Sequence, residues 1–331
     1  MRRFAKLFAL VILASFMVFS VAGCGGGDNG NEGGADKVEK LAFSTGPQGG
    51  TYYSLATGIA TTINDKKVGA DIAVESTGGS VENARFLGTK QTDIAWVESM
   101  VADKAMKGEK WFDGNKVENL RAIAAIIPNT VHFIVKEKSG IESLADLKGK
   151  RISMGVQGGS SPLTAMNVLR TFGINEGDVQ PQYVPHGEGI QLLKDDRVDA
   201  VMIDGATPQP HIIDATSSQQ EMRLLSIPEE NINELVAEMP FYGGLMTVDA
   251  GTYPGIDYDW TSTGLLAVMT TREEIPEDVV YNITKTMFEN TEAITNIHKA
   301  GRYIQLERAI KGISIPLHPG AEKFYKEKGI L

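Results

Sequence analysis

From Leu41 onward, short apolar segments alternate with amphipathic segments, and no other feature constrains the fold as strongly. The strand-like runs cover 41–44, 71–75, 93–97, 131–135, 151–156, 199–203, 222–225 and 265–269. The helix-like segments between and after them cover 53–65, the residues after Ser80 as helix cap, 143–147, the residues after 158–161 and those after Pro276. Such alternation is typical of α/β layers rather than of a sandwich or a helical bundle. We therefore predict an α/β fold.

The length of the chain predicts two domains. Beyond the N-terminal segment about 300 residues remain, which is more than one hydrophobic core usually serves. We place crossovers near 128–131 and 269–272. Lobe I then takes 39–130 plus 270–331, and lobe II takes 131–269.

The N-terminus has the pattern of a lipoprotein signal. Basic residues precede an apolar run of roughly fifteen residues, which is too short to span a bilayer since spanning needs about twenty. The run closes with Val21-Ala22-Gly23 before Cys24, the one cysteine of the chain. We predict a signal peptide over 1–23, a lipid on Cys24 and a flexible, glycine-rich tether over 24–38. The protein is then extracytoplasmic and held at the cell membrane by that lipid.

The charge of the chain limits its partners. The formal net charge is −10, and loss of Arg2, Arg3 and Lys6 with the signal brings it to about −13. No basic cluster follows the signal peptide to offset the repulsion from nucleic acid or anionic lipid. We therefore expect neither nucleic acid nor an anionic lipid surface as a partner. The only membrane contact that we expect is through the lipid on Cys24.

Three strand-to-helix turns are rich in glycine and hydroxyl residues. In an open α/β sheet such turns lie at the carboxyl ends of strands, where ligands bind. Their backbone N–H groups at helix starts favour a carboxylate or phosphate. Ordinary helix capping is the alternative for any single turn. The candidate ligand residues on these turns are Thr45, Gly50, Thr51, Ser76, Gly79, Ser80, Ser160 and Ser161.

Glu98 follows the strand-like run 93–97. Its carboxylate is negative, whereas the helix starts at the three turns carry partial positive charge. If its carboxylate faces the ligand, it would accept an ammonium group, and with a carboxylate at the turns the solute would be an α-amino acid. The alternative is a solvated Glu98 with a keto acid or a dicarboxylate as solute.

Several runs of the sequence resemble one family of solute receptors. They are Thr45-Gly46 with Gly49-Gly50-Thr51-Tyr52-Tyr53, the run Ser76 to Asn83, Ser143 to Arg151, and the closing His318-Pro319-Gly320-Ala321 with Tyr325 to Gly329. Together they resemble the TAXI-type receptors of tripartite ATP-independent periplasmic (TRAP) transporters, over about 38–331. Tyr52 and Asn83 lie in these runs and join the candidate ligand residues.

The resemblance implies a fold and a function. It implies a two-lobed, type II periplasmic-binding-protein-like fold with a ligand cleft between the lobes. It implies a receptor that delivers a glutamate-like amino acid or a small dicarboxylate to integral membrane TRAP subunits. The element 146–151 is shared with receptors of ATP-driven importers, which remain an alternative. Glu98 departs from the family pattern, which has an amide at this position.

An enzyme is the rival interpretation, and the sequence offers little for it. No Gly-x-Ser-x-Gly elbow is present, and the five histidines are scattered. With its one cysteine assigned to the anchor, the chain has no thiolate metal site. We predict no catalytic residue, no metal and no cofactor.

Overall fold

The computed structural model describes residues 38–46, 48, 51–157 and 160–331. The signal peptide, Cys24, nearly all of the tether and Gly50 lie outside the described residues, so the predictions made for them stay predictions. Val38–Leu331 form one compact unit. None of its described helices is both long enough and apolar enough to cross a membrane.

Strands and helices alternate along the unit. The strands are β1 (Glu39–Ser44), β2 (Ala70–Glu75), β3 (Ile94–Glu98), β4 (Leu120–Lys136), β5 (Arg151–Ser153), β6 (Gln180–Gln182), β7 (Ala200–Gly205), β8 (Met222–Leu224), β9 (Met246–Val248), β10 (Trp260–Ser262) and β11 (Gly264–Arg272). The helices are α1 (Thr51–Lys66), α2 (Ser80–Gly88), α3 (Ser99–Lys107), α4 (Ser161–Arg170), α5 (His186–Lys194), α6 (Pro210–Thr216), α7 (Glu229–Glu238), α8 (Glu277–Glu289), α9 (Thr291–Ile297) and α10 (Pro319–Glu327).

One long strand connects two halves of a mixed sheet. The strand order is β2-β1-β3-β11-β4-β7-β5-β6, and β8 also pairs with β4. Strands β1, β2 and β3 are parallel to one another, as are β5, β6 and β7. Strand β4 runs antiparallel to β11 along its first part and to β7 along its last part. We call the half with β1–β3 and β11 lobe I, and the half with β5–β8 lobe II.

Helices cover both faces of each half of the sheet. In lobe I, Trp96 packs among residues of α1, α8 and α10, while Val97 on the opposite face packs against α2 and α3. In lobe II, Met202 and Val201 likewise face two separate apolar clusters. Strands buried on both faces explain why the strand-like runs are nearly continuous in apolar residues.

Two local expectations were wrong. The segment 143–147 forms a short 3-10 turn, Leu144–Leu147, with a capping box between Ser143 and Asp146. Ser80 is not a helix cap but the first residue of α2, and Gly79 precedes the helix. Strand β4 continues through Pro128, and its partner changes from β11 to β7 at Thr130, within the segment 128–131 where we placed a crossover. Pro128 is tolerated because the β4–β11 ladder is irregular just before it, where Ile127 pairs with Ala267 but Ala125 pairs with Val268.

Candidate functional site

The strand ends of both lobes meet beside the middle of β4. Thr130 of β4 pairs with Gly205, the last residue of β7, and with Gly264, the first residue of β11. Glu98, the last residue of β3, pairs with Ala267 of β11. The carboxyl ends of β3 in lobe I and β7 in lobe II therefore face one region, which we call the cleft.

Glu98 is the most perturbed group of the cleft. Its exposure is only 6%, and its Oε2 accepts a hydrogen bond from Asn129 Nδ2 at 3.2 Å. Burial, and after it the nearby Asp204, raise its pKa to about 8, although Asn129 and the Ser160 hydroxyl act in the opposite direction. Its Oε1 is buried and accepts no hydrogen bond from any described residue. Glu98 therefore points inward, with one oxygen open to a donor.

Asp204 supplies a second carboxylate from lobe II. It is the next-to-last residue of β7, and 8% of its side chain is exposed. Its Oδ1 accepts a hydrogen bond from Ser161 Oγ at 2.6 Å and lies 3.5 Å from His186 Nε2. Buried His186 Nδ1 has no hydrogen-bond partner among the described residues. The two lobes thus each contribute one acidic group to the cleft.

Two tyrosines border these carboxylates. Asn129 Nδ2 donates to Tyr52 Oη at 2.9 Å, and Asn167 Nδ2 donates to Tyr242 Oη at 3.2 Å. Burial raises the pKa of both phenols well above the usual value, and the charge of Glu98 adds to the shift. Both phenols therefore remain neutral hydrogen-bonding groups at physiological pH.

Ser80 and Asn83 form hydrogen bonds with the backbone of the cleft wall and do not present free polar groups to the cleft. Ser80 Oγ accepts a hydrogen bond from the backbone N–H of Glu98 at 3.1 Å. Asn83 Nδ2 donates to the carbonyls of Thr45 at 2.6 Å and Trp96 at 2.7 Å. Asn83 Oδ1 accepts from Thr77 Oγ1 at 2.6 Å. These bonds connect the ends of β1 and β3 to α2 and fix the backbone beside Glu98.

The remaining candidate residues of the first two turns have local roles in the structure of those turns. Thr45 is buried, and its hydroxyl donates to the Glu75 carbonyl at 2.7 Å. Ser76 is exposed, and its hydroxyl donates to the Gly46 carbonyl at 3.1 Å. Gly79 has a φ of +108°, which side chains rarely adopt, and half-buried Thr51 begins α1.

Sequence reasoning missed four residues of the cleft: Asn129, His186, Asp204 and Tyr242. Asp204 had a usable signal, since it follows the apolar run 200–203 as Glu98 follows the run 93–97. The other three residues had no such signal in the sequence. Asn129 lies within a strand, and His186 and Tyr242 come from a helix start and a loop that are distant in sequence. Of the predicted residues, the structure brings Tyr52, Glu98, Ser160 and Ser161 together around these four.

The cleft is built for hydrogen bonding. Ser161 donates to the Asp204 carboxylate rather than to a histidine, so the arrangement is not a Ser-His-Asp triad. Among the described residues, no group of three or more His, Cys, Asp or Glu side chains could hold a metal ion. What the arrangement can do is accept hydrogen bonds from a cationic or strongly donating ligand.

Comparison with known proteins gives the family and the fold. The model of a family described as NMT1-like matches residues 43–329. The periplasmic aliphatic sulphonate binding protein SsuA from Escherichia coli is 17% identical, with a TM-score of 0.51 over 87% of this chain and 83% of that chain. PhnD1 from Prochlorococcus marinus, in complex with methylphosphonate, is 12% identical, with a TM-score of 0.52 over 88% and 96%. The predicted two-lobed, type II binding-protein fold is confirmed.

Proposed function

The chain belongs to the NMT1-like family, and on that premise we propose that it is an extracytoplasmic solute-binding lipoprotein that captures a small amino acid, glutamate or glutamine, for a membrane transporter. The observation that carries this proposal is the buried carboxylate of Glu98 at the junction of the lobes, with Oε1 unpaired among the described residues. An ammonium group would supply both the charge and the donors that this oxygen lacks.

The class of solute follows from charge. An uncompensated carboxylate in a buried site is costly, so a cation is favoured there and a further anion is opposed. The sulfonate- and phosphonate-binding structures share only the fold with this chain, and an anion such as theirs would meet Glu98 and Asp204 here. A dicarboxylate or keto acid, the alternative solute, meets the same obstacle.

The carboxylate of the amino acid needs a separate site. Helices α1, α2 and α4 all begin beside the strand ends, and the N–H groups of a helix start favour an anion. We assign the α-carboxylate to these helix starts. Closure of the lobes then traps the solute without covalent chemistry. Structures with this fold are named as binding proteins, in agreement with the prediction that the chain is not an enzyme.

Titration calorimetry tests the solute class. Ligand-stripped protein is titrated with glutamate, glutamine, 2-oxoglutarate and succinate, and the ligand that co-purifies under native conditions is identified by mass spectrometry. We expect an amino acid in both measurements and a loss of at least tenfold in its affinity on Glu98→Gln, since a charge-assisted bond becomes a neutral one. Tighter binding of the oxo or dicarboxylic acid, or an unchanged amino-acid affinity in the variant, contradicts the proposal.

The membrane partner is a separate part of the proposal. The resemblance to TAXI receptors favours TRAP subunits, and the alternative is an ATP-driven importer. Uptake of the bound amino acid into energised membrane vesicles that carry the receptor distinguishes them. Uptake that stops with collapse of the ion gradients and continues without ATP supports TRAP, and the reverse pattern supports the importer.

Substitution of Cys24 tests the lipid anchor. Cys24→Ala should move the protein from the membrane pellet to the soluble fraction, because a lipid on Cys24 is the proposed attachment. The mature wild-type protein should carry acyl chains by mass spectrometry. A variant that stays in the pellet, with an unacylated wild type, contradicts lipidation.

A further inference from the structure

Two carboxylates from opposite lobes lie in the cleft, and neither has a full set of partners. Glu98 of β3 accepts one hydrogen bond, from Asn129, and its Oε1 is unpaired among the described residues. Asp204 of β7 accepts from Ser161. Of the described lysines, arginines and histidines, only His186 forms an ion-pair contact with either group, at 3.5 Å from Asp204.

The surroundings of this pair cannot neutralise two negative charges. The groups that face it are Tyr52 from α1, Asn129 and His132 from β4, Ser160 and Ser161 at the start of α4, His186 from α5, and Tyr242. Burial lowers the pKa of His132 to about 4, so this histidine is neutral. Burial and the neighbouring Asp204 therefore oppose ionisation of Glu98 as long as no cation lies beside it.

We propose that the cationic group of the solute sits between Glu98 and Asp204, and that it replaces the proton that buried Glu98 holds in the empty protein. The proposal rests on the proposed function and deepens it. Asp204 becomes a specificity-determining residue of the cleft, and binding of an amine is coupled to release of about one proton. Because the carboxylates belong to different lobes, a cation between them also draws the lobes together.

The coupling has a definite pH dependence. Below pH 8 Glu98 of the empty protein holds its proton, since burial and Asp204 raise the pKa of Glu98 to about 8. A cation must displace that proton, so the affinity rises with pH and approaches a plateau near pH 8. The linkage relation gives a change of about tenfold per pH unit well below the plateau.

Calorimetry in two buffers of different ionisation enthalpy measures the coupling. Ligand-stripped protein is titrated with glutamine, ethanolamine, putrescine and succinate at pH 6.0, 7.0 and 8.5. We expect about one proton released per amine bound at pH 6.0 and less than half a proton at pH 8.5. Asp204→Asn should weaken amine binding at least tenfold and lower the proton count. Glu230→Gln, on the exposed first turn of α7, is the matched surface control and should change neither the affinity nor the proton count.

The outcomes separate this inference from the proposed function. Glutamine binding without proton release, or unchanged in Asp204→Asn, overturns the inference and leaves the function standing. If simple amines bind with proton release and glutamine does not bind, the inference is supported and the proposal of an amino-acid receptor is contradicted. Succinate as the tightest ligand, or no amine binding at all, overturns both.

A second measurement uses the wild type alone and therefore tests the inference even if the variants fail to fold. Infrared spectra of the ligand-free wild type at pH 6.5 should show a protonated carboxyl band that disappears on addition of the amine. Persistence of the band in the complex, or its absence from the empty protein, shows that the amine displaces no proton and overturns the inference.

Discussion

At the residue scale, Glu98 sets both the chemistry of the cleft and a cost to stability. Its pKa of about 8 in the folded protein lies above the value of about 4.3 for an exposed glutamate. Between these values the folded protein binds more protons than the unfolded chain. The free energy of unfolding of the ligand-free protein therefore falls as pH rises through this window.

Glu98→Gln should remove this dependence. A neutral amide needs no proton, so we expect the variant to be more stable than the wild type at pH 8 by about 1–3 kcal/mol and to show a flatter profile from pH 5 to 8. Urea unfolding of the ligand-free proteins at pH 5, 6.5 and 8 measures this, with Glu230→Gln as control. A profile as steep as that of the wild type would show that Glu98 is ionised in the folded protein.

Asn83 has a positioning role at the same scale. Asn83→Ala removes an amide that bonds to Thr45, Trp96 and Thr77 and leaves two buried carbonyls short of a donor, so we expect a loss of about 2–3 kcal/mol in the free energy of unfolding. Ser76→Ala, which removes an exposed hydroxyl of the neighbouring turn, should cost less than about 0.5 kcal/mol. Equal losses in urea titrations of the two variants would contradict the assignment.

At the scale of elements, α5 carries His186 and depends on a close approach to the sheet. A Cβ on Gly189 would lie 2.4 Å from Ser153 Oγ of β5 and 3.3 Å from Val201 Cγ1 of β7. The helix therefore lies against the sheet only because residue 189 has no side chain.

Gly189→Ala should push α5 outward and move His186 away from Asp204. We expect a loss of about 1–3 kcal/mol, as for other overpacked cores, together with weaker solute binding. Gly177→Ala, at a position with open space, is the matched control and should change neither property by much. Thermal unfolding with calorimetry of binding measures both, and a wild-type affinity in Gly189→Ala would show that the position of α5 is unimportant.

At the scale of the whole molecule, a group of polar contacts joins the lobes beside the cleft. Thr207 follows β7 in lobe II, and its carbonyl accepts hydrogen bonds from Tyr303 Oη and from Arg302 Nη2, the latter at 3.2 Å. Both donors lie on the 3-10 turn Lys299–Tyr303, which packs on the core of lobe I. The arginine also lies over the tyrosine ring, 4.9 Å from its centre.

Tyr303→Phe should favour separation of the lobes. The loss of one interlobe hydrogen bond is worth about 1 kcal/mol, so we expect the solute to dissociate about fivefold faster, with little change in its association rate. Stopped-flow measurements with Tyr281→Phe, whose hydroxyl bonds to Glu327 within lobe I, as control test this. Equal dissociation rates in the wild type and Tyr303→Phe would show that the contact does not resist opening.

The sequence by itself determined the α/β class, most strand positions and the turn at each strand end. These features follow from local patterns: apolar runs fit buried strands, and glycine with hydroxyl residues fits helix starts. It also marked Glu98, because the acid departs from a family pattern. The extent of β4 could not be predicted, since Pro128 suggests a break and only the irregular pairing with β11 accommodates it.

The tertiary structure alone decided which side chains face one another. Glu98 and Asp204 are more than a hundred residues apart, and Asn129 reaches both Glu98 and Tyr52 from the middle of a strand. Their proximity depends on the order of the strands and on the place along β4 where its partner changes from β11 to β7. Local propensity contains no information about such pairing. The charge that surrounds a buried carboxylate, and therefore its affinity for a proton or a solute cation, is a property of the assembled lobes.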